Sequence, residues 1–333
     1  MTDSRLRLVA AFLVASVCFG GTFVAATAGL AYFPPLLFAA FRFDIGAVLL
    51  FGFVLARFPR EELLPRTRAD VAGILAAGVF AIGLANVFIF VGQQYTTSGV
   101  GAIVFSLNPI LTPVLAAGIL SNERLSRVGA LGMAVGFVGV ALVVGVDPSA
   151  LVGGAVLGKA IVFAGAVSGA LGAVLIRRAD SSLSSTVRTA WALPVGALLC
   201  HLLSLGTGER LGAVAWTPAA LVALGYVGVF SGAVAFIAYF GLLDDVGPIH
   251  GNLVFYVVPI VATLGGWLLL GETISTLTLV GFLTIFLGFT IIGHDAISSA
   301  FGRFVGDGDD AVTMGAGGSV NGRHDGPVWS DDD

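Results

Sequence analysis

The chain has 333 residues, of which 57% are hydrophobic and 11% are charged, with a formal charge of −4 and a mean hydropathy of +1.00. In soluble domains about a quarter of all residues are charged, so this composition excludes a water-soluble protein. Lipid must therefore solvate most of the chain.

Apolar runs long enough to cross a bilayer, about 20 residues for a core of about 30 Å, follow one another along the sequence. They cover about residues 8–30, 35–56, 70–92, 96–120, 125–146, 157–177, 185–205, 217–241, 246–270 and 274–294. The sequence thus predicts an all-α integral membrane protein with ten transmembrane helices. Residues 1–7 form a short N-terminal tail, and residues 298–333, rich in Gly and Asp, are expected to form a disordered acidic tail.

Two stretches resemble each other at a nearly constant spacing. Gly101, Val104, Phe105 and Pro109 match Gly251, Val254, Phe255 and Pro259 at an offset of 150, and Glu123, Gly132 and Gly139 match Glu272, Gly281 and Gly288 at an offset of 149. Identities on both sides of a single gap favour duplication, so we expect two five-helix copies over 8–146 and 157–294. The basic start and first apolar run also fit a signal peptide, but this run has a counterpart in the second copy, which favours a retained span.

The basic residues predict the orientation. With the N-terminus in the cytoplasm, thirteen arginines lie on the cytoplasmic side, and only Lys159 and Arg210 lie outside. Because each copy has an odd number of spans, the second copy enters the membrane from the opposite side. This gives a 5+5 inverted-topology repeat with both termini cytoplasmic. Such repeats are common in secondary transporters, where the substrate site lies near the midplane.

Three motifs lie within this framework: Arg42-Phe43 early in the second span, and proline-bearing spans that end in Glu123-Arg124-Leu125 and Gly271-Glu272-Thr273-Ile274. Together with the repeat, they resemble the EamA branch of the drug/metabolite transporter superfamily over about residues 8–294. Asn122 replaces the glycine before the first glutamate, so that corner departs from the family pattern. The resemblance implies a carrier in the cytoplasmic membrane for small metabolites, often amino acids or related organic solutes, and often outward.

Arg42 and Asp44 are charged residues inside the second span. Arg42 lies about 10 Å from the outer end of that span. It is expected either to attract an anion or gate the path, or to extend its long side chain to the headgroups. Asp44 is deeper and is a candidate for proton coupling, with structural pairing as the alternative. The two do not face each other, because they are two residues apart on one helix.

A second group of polar residues is predicted to line a cavity: Asn86, Ser106, Asn108, Tyr239, His250, Asn252 and Tyr256. Pro109 and Pro259 each remove a backbone donor and free the carbonyl one turn earlier, that of Phe105 or Phe255, so we expect hinges there. The alternative for each polar residue is a bond between helices, worth about 0.6 kcal/mol on average.

Glu123 and Glu272 are expected to stabilise corners by meeting the positive end of the helix that follows. Glycine pairs at small-xxx-small spacing, such as Gly132 and Gly136, indicate close helix packing and also permit a homodimer. The expected partners are a small-molecule substrate and membrane lipids, and no nucleic acid.

Two other classes of function compete with a carrier. Ser168 with His201, His250 or His294 supplies the residue types of an intramembrane serine protease, but Ala166 stands where a rhomboid-like GxSG motif needs glycine. The sequence has no His-Glu-x-x-His, Walker loop or cysteine pair at ligand spacing, so we expect no enzyme, metal or cofactor. A passive channel remains an alternative to the carrier.

Overall fold

The computed structural model describes residues 2–120, 127–144, 154–251 and 253–292, and every regular secondary-structure element in these ranges is a helix. The α-helices are α1 Thr2–Gly29, α2 Pro35–Arg57, α3 Arg60–Leu63, α4 Arg68–Leu75, α5 Ala85–Gly92, α6 Ser98–Phe105, α7 Asn108–Ile119, α8 Arg127–Val144, α9 Gly154–Ala179, α10 Ser185–Thr207, α11 Pro218–Gly225, α12 Ala235–Gly251, α13 Val254–Leu270 and α14 Thr276–Ile292. Two π-helical stretches, Ala76–Leu84 and Tyr226–Val234, join α4 to α5 and α11 to α12, and a 3₁₀ helix covers Leu211–Ala213.

Within the ranges that the structure describes, seven helical runs are long and apolar enough to cross a membrane. They are Leu6–Gly29, Pro35–Arg57, Arg68–Gly92, Ser98–Ile119, Val156–Ala179, Ser185–Thr207 and Pro218–Leu243. Three shorter apolar helices, Val128–Val143, Val254–Leu270 and Thr276–Gly288, fall where the sequence predicted the remaining spans. The predicted class, an all-helical multi-pass membrane protein, therefore agrees with the described ranges, and the total of ten spans stays a prediction.

One predicted boundary is wrong. The sequence predicted a ninth span from residue 246, but α12 continues to Gly251 and α13 begins at Val254. The prediction placed the break at residues 242–245, where Asp244 and Asp245 interrupt the apolar run, whereas the structure keeps both residues within α12. The predicted tail 298–333, Glu123 and Asn252 lie outside the described residues.

Hydroxyl side chains fix the start of several helices. Thr97, Ser184 and Thr217 accept a hydrogen bond from the backbone N–H three residues later. Thr67 does the same for α4, and Asp70 returns the bond to the Thr67 backbone, which completes a capping box. Such caps satisfy N–H groups that a helix leaves unpaired at its first turn.

The π-helical stretches make the same contact in both copies. Each is nine residues long, and they lie 150 residues apart. A Cβ at Gly78 would lie 2.6 Å from the Cβ of Val195 on α10, and a Cβ at Gly228 would lie 2.9 Å from that of Ile45 on α2. Ile45 and Val195 are also 150 residues apart, so the contact between the third predicted span and the seventh recurs between the eighth and the second.

Glycines hold α8 against α14. A Cβ at Gly139 would lie 2.7 Å from the carbonyl oxygen of Gly281, and a Cβ at Gly288 would lie 2.6 Å from that of Gly132. Gly132 and Gly139 are the counterparts of Gly281 and Gly288, so the contact is reciprocal, as across a two-fold axis. The contacting residues occur in opposite order along the two helices, so α8 and α14 run antiparallel.

Candidate functional site

A cavity of about 420 Å³ lies among helices of both copies. It falls within the usual range of small-molecule sites. Its lining consists of Phe19, Thr22, Phe23, Arg42, Phe43, Ala77, Ala81, Ile82, Asn86, Ile89, Ala102, Phe105, Ser106, Asn108, Pro109, Gly169, Ile176, Ser185, Arg188, Thr189, Phe236, Tyr239, Phe240, Leu243, Phe255 and Val258. Most of the wall is apolar and aromatic, with a few polar groups set into it.

Arg42 is the most deeply buried charge in this wall, with 4% of its surface exposed. Its Nη1 donates to Oδ1 of Asn86 at 2.6 Å, and Asn86 Nδ2 donates to the Ile82 carbonyl at 2.8 Å, which fixes the orientation of the amide. The guanidinium carbon lies 5.2 Å from the ring centre of Phe43 and 5.8 Å from that of Phe90, within cation–π range. Arg42 is thus held by a neutral amide and two ring faces, and its long side chain does not extend to the headgroups.

A second arginine lines the cavity near the start of α10. Arg188 Nη2 lies 3.2 Å from the Ser185 hydroxyl, to which it donates. Because Ser185 and Arg188 belong to the first turn of α10, this end of the cavity approaches the face of the protein where α10 begins. The sequence analysis counted Arg188 only as an orienting charge, and its position near a helix end gave no sign of a role in the cavity.

Asn108, Ser106 and Pro109 meet at a break in the fourth predicted span. α6 ends at Phe105, and α7 begins at Asn108, with Pro109 in its first turn. The Ser106 hydroxyl donates to the Ile103 carbonyl at 2.7 Å. The cavity lining therefore includes the irregular backbone that the sequence predicted at Pro109.

The two predicted hinges differ in structure. α13 runs from Val254 to Leu270 through Pro259 as one helix, whereas the first copy is broken before Pro109. Pro259 lines a separate narrow cleft with Tyr256, whose ring lies 5.8 Å from that of Phe286. Tyr256 is therefore not in the lining of the main cavity.

Tyr239 lies in the aromatic part of the cavity wall. Its ring centre is 5.3 Å from that of Phe255 and 6.0 Å from that of Phe19. Phe19 also packs against Phe236 at 5.3 Å. The side chain of His250 lies outside the described residues, and so does Asn252, so the predicted contribution of both to the cavity stays a prediction.

Asp44 lies away from the cavity. Its Oδ2 is 2.8 Å from Nε2 of His201 on α10, and the side chains are 48% and 35% exposed, respectively. The sequence analysis treated His201 as an ordinary interface residue and did not predict this pair, because the two residues are 157 positions apart. Structural pairing of Asp44, one of the two predicted alternatives, is thus present.

Glu272 stabilises a different helix from the one expected. α14 begins only at Thr276, so Glu272 is not in its first turn. Instead, its carboxylate accepts from the backbone N–H of Ser98 at 2.8 Å and from the Ser98 hydroxyl at 2.6 Å. A carboxylate at the start of α6 is favourable because the helix dipole is positive there.

A second carboxylate joins the two copies at the same face of the protein. Glu209, two residues beyond α10, accepts from the backbone N–H groups of Leu36 at 3.2 Å and Leu37 at 2.9 Å, in the first turn of α2. Nearby, the backbone N–H of Ala215 donates to the carbonyl of Tyr32 at 2.9 Å. These bonds join connections of both copies at the face opposite the start of α10.

Asp70 makes the corresponding contact at the other face. It accepts from the hydroxyl of Ser181 at 2.8 Å and from the backbone N–H of Ser182 at 3.0 Å, just before α10. The sequence analysis missed both Asp70 and Glu209. For Asp70 the available signal was an acid three residues after the capping Thr67, but the partner helix could not be identified from it.

Comparison with known proteins agrees with the predicted family. The profile of the EamA-like transporter family matches residues 6–145 and again residues 156–293. The uncharacterized transporter YoaV of Bacillus subtilis is 25% identical over 85% of this chain and 95% of its own, and the uncharacterized inner membrane transporter YedA of Escherichia coli K12 is 28% identical over 81% and 85%. A solved crystal structure that is 22% identical has the same fold, with a TM-score of 0.59 over 87% of this chain and 97% of its own. The chain therefore belongs to the EamA-like transporter family.

Proposed function

We propose that the protein is a secondary carrier that moves small organic solutes across the cytoplasmic membrane by alternating access. In this proposal, ten transmembrane helices form two inverted five-helix halves, and both termini are cytoplasmic. The substrates are small metabolites such as amino acids or related organic solutes, which are exported or exchanged.

The observation that carries the proposal is the cavity shared by the two copies. Its lining includes side chains of the first copy, such as Arg42 and Asn108, and side chains of the second, such as Tyr239 and Phe255. In inverted-repeat transporters the substrate lies between the repeats, so rocking one repeat against the other exposes it to each side in turn. The reciprocal contacts of α8 and α14 support an inverted relationship.

The hydrogen bonds that join the two copies at one face support a specific state of the transport cycle. The Glu209 and Glu272 bonds lie at one face, whereas Ser185 and Arg188 extend the cavity toward the other. With the orientation that the arginines predict, the cavity approaches the cytoplasm and is closed from the outside. The outward-facing state then requires these bonds to open and the Asp70 side to close further, with bending at Pro109 or Pro259.

Substrate binding is assigned to the polar groups of the cavity. Asn86, Ser106, Asn108 and Tyr239 contact the solute, and His250 and Asn252 complete the candidate set, whereas Tyr256 lies in the narrow cleft beside Pro259. Arg42 attracts or gates the solute, and Asp44 couples its movement to a proton. Since the sequence contains no Walker loop, the energy comes from an ion gradient, from exchange or from the solute's own gradient.

The proposal is tested by counterflow with the purified full chain in liposomes, screened with amino acids, amines and organic acids. A carrier gives saturable uptake that is accelerated by unlabelled solute on the opposite side and returns the solute chemically unchanged. Asn108→Ala is expected to raise the half-saturating concentration about ten-fold by removal of a polar contact. Uptake that rises linearly with concentration and shows no counterflow would instead support a channel.

A further inference from the structure

The charge of Arg42 has no counterion in the described part of the chain. Its Nη1 bonds a neutral amide oxygen of Asn86, and its Nε is buried without a hydrogen-bond partner. A buried guanidinium is costly to desolvate unless an anion and further hydrogen bonds compensate it. The guanidinium charge, which no described carboxylate compensates, therefore favours an anion beside Arg42.

The rest of the described lining adds to the positive charge. It contains a second arginine, Arg188, and includes no Asp or Glu side chain. Two carboxylates on or just beyond the helices of these arginines are engaged elsewhere: Asp44 of α2 pairs with His201, and Glu209, which follows α10, caps α2. Among the described lining residues an ammonium group would meet only neutral acceptors, so their charge pattern favours an anion over a cation or a zwitterion.

The aromatic rings indicate the rest of the ligand. Phe19, Phe236, Tyr239 and Phe255 form one packed cluster, with ring centres 5.3 to 6.0 Å apart. Phe43, beneath the Arg42 guanidinium, continues this apolar surface toward the charge. A ligand that fits has a compact apolar or aromatic body and one anionic group.

From these contacts we propose that the cavity selects an organic monoanion, a carboxylate with an apolar body, and that its carboxylate binds Arg42 beside Asn86. The inference rests on the carrier function proposed above and specifies its substrate class. Arg42 and Arg188 lie near opposite ends of antiparallel helices, about 20 Å apart along the membrane normal at 1.5 Å per residue. Arg188 therefore concentrates anions at the cavity end near the start of α10, and Arg42 binds them deeper inside.

Three probes with the same phenyl ring isolate the charge: phenylacetate, phenylalanine and phenethylamine. Each is measured by equilibrium binding to the detergent-purified full chain and by counterflow in liposomes, with protein-free liposomes as the leak control. Phenylacetate is expected to drive saturable counterflow and to bind about a hundred-fold more tightly than phenethylamine, as a buried charge contact requires.

Variants then assign the preference to Arg42. Arg42→Gln should abolish the advantage of phenylacetate over phenethylamine. Asn86→Asp changes no volume and places a carboxylate on the existing 2.6 Å contact, so it should neutralise Arg42, weaken phenylacetate and spare or improve phenylalanine. If Arg42→Gln does not fold, Asn86→Asp still tests whether the charge of Arg42 causes the preference. Arg57→Gln, which removes an exposed charge from the end of the same helix, should bind all three probes as the parent does.

The outcomes separate this inference from the carrier function. Saturable counterflow of phenylalanine or phenethylamine with no binding of phenylacetate would overturn the anion assignment and leave the carrier function standing. A phenylacetate preference that survives both Arg42→Gln and Asn86→Asp would also overturn it. Absence of saturable exchange for every probe would contradict the substrate class, and only a negative result across the broader counterflow screen would contradict the carrier as well.

Discussion

The carboxylate of Glu272, at the turn between α13 and α14, caps the first turn of α6 through the backbone N–H and the hydroxyl of Ser98, 174 positions earlier. This contact joins the two copies at the face opposite the start of α10. Glu272→Ala should destabilise the protein by about 1–2 kcal/mol, the cost of losing a helix cap. Ser98→Ala combined with it should cost less than the sum of the two, which thermal unfolding of the purified protein measures.

Gly266 provides an independent test of the same contact. A Cβ at this position would overlap both the Glu272 carboxylate and the Ser98 hydroxyl. Gly266→Ala should therefore lower the midpoint of thermal unfolding, whereas Gly118→Ala, where no atom lies within 4 Å, should not. Equal midpoints for the two variants would show that the contact does not stabilise the closed face.

Asp70 should be more sensitive to substitution than other acids on its face. It is 1% exposed, and both of its oxygens are occupied, one by Ser181 and Ser182 and the other by the backbone of Arg66 and Thr67. Asp70→Asn replaces one acceptor with a donor, so one set of bonds must break. We expect a lower unfolding midpoint, measured beside Glu62→Gln on exposed α3; a drop of the same size in Glu62→Gln would argue against a specific role.

Gly169 controls the space around Asn108. A Cβ at Gly169 would overlap Nδ2 of Asn108, so Gly169→Ala should displace the amide from its position in the cavity wall. The expected result is about a ten-fold rise in the half-saturating solute concentration, from an overpacking strain of the usual size. Exchange kinetics of Gly169→Ala and of Gly118→Ala would be compared; unchanged kinetics in both would place the solute away from Asn108.

Asp44→Asn separates binding from coupling. Asp44 pairs with His201 outside the cavity lining, so exchange of labelled for unlabelled solute should continue at the parent affinity. If the pair carries the coupling proton, acceleration of uptake by a pH gradient should disappear in Asp44→Asn. Loss of exchange itself would instead place Asp44 in the solute path, and retention of the pH effect would remove it from coupling.

Seven of the predicted spans coincide with described helical runs that are long and apolar enough to cross a membrane, because both follow from the length of the apolar runs. The break before Pro109 could also be predicted from the sequence, since proline has no N–H to donate to the carbonyl of Phe105. The repeat offset located Gly132, Gly139, Gly281 and Gly288, although it did not tell which of them touch. In this chain, local rules and internal symmetry carry most of the fold.

Contacts between helices that are distant in sequence could not be predicted. Asp44 with His201, and Glu272 with Ser98, depend on which helices are neighbours and how each is rotated about its axis. A single sequence gives neither, since nearly every face of these helices is apolar. Arg188 was missed for a related reason: an arginine near a helix end is ordinarily an orienting charge, and only packing shows that it reaches the cavity.

The inverted relationship of the two copies is tested most directly by labelling equivalent residues. Glu62 and Gly212 are both exposed and lie 150 positions apart, and the native cysteines, Cys18 and Cys200, are buried. In a background with both replaced by serine, Glu62→Cys and Gly212→Cys would be treated in intact cells with a membrane-impermeant maleimide. The account predicts labelling at 212 and, only after the membrane is permeabilised, at 62; labelling of both in intact cells, or of neither, would contradict it.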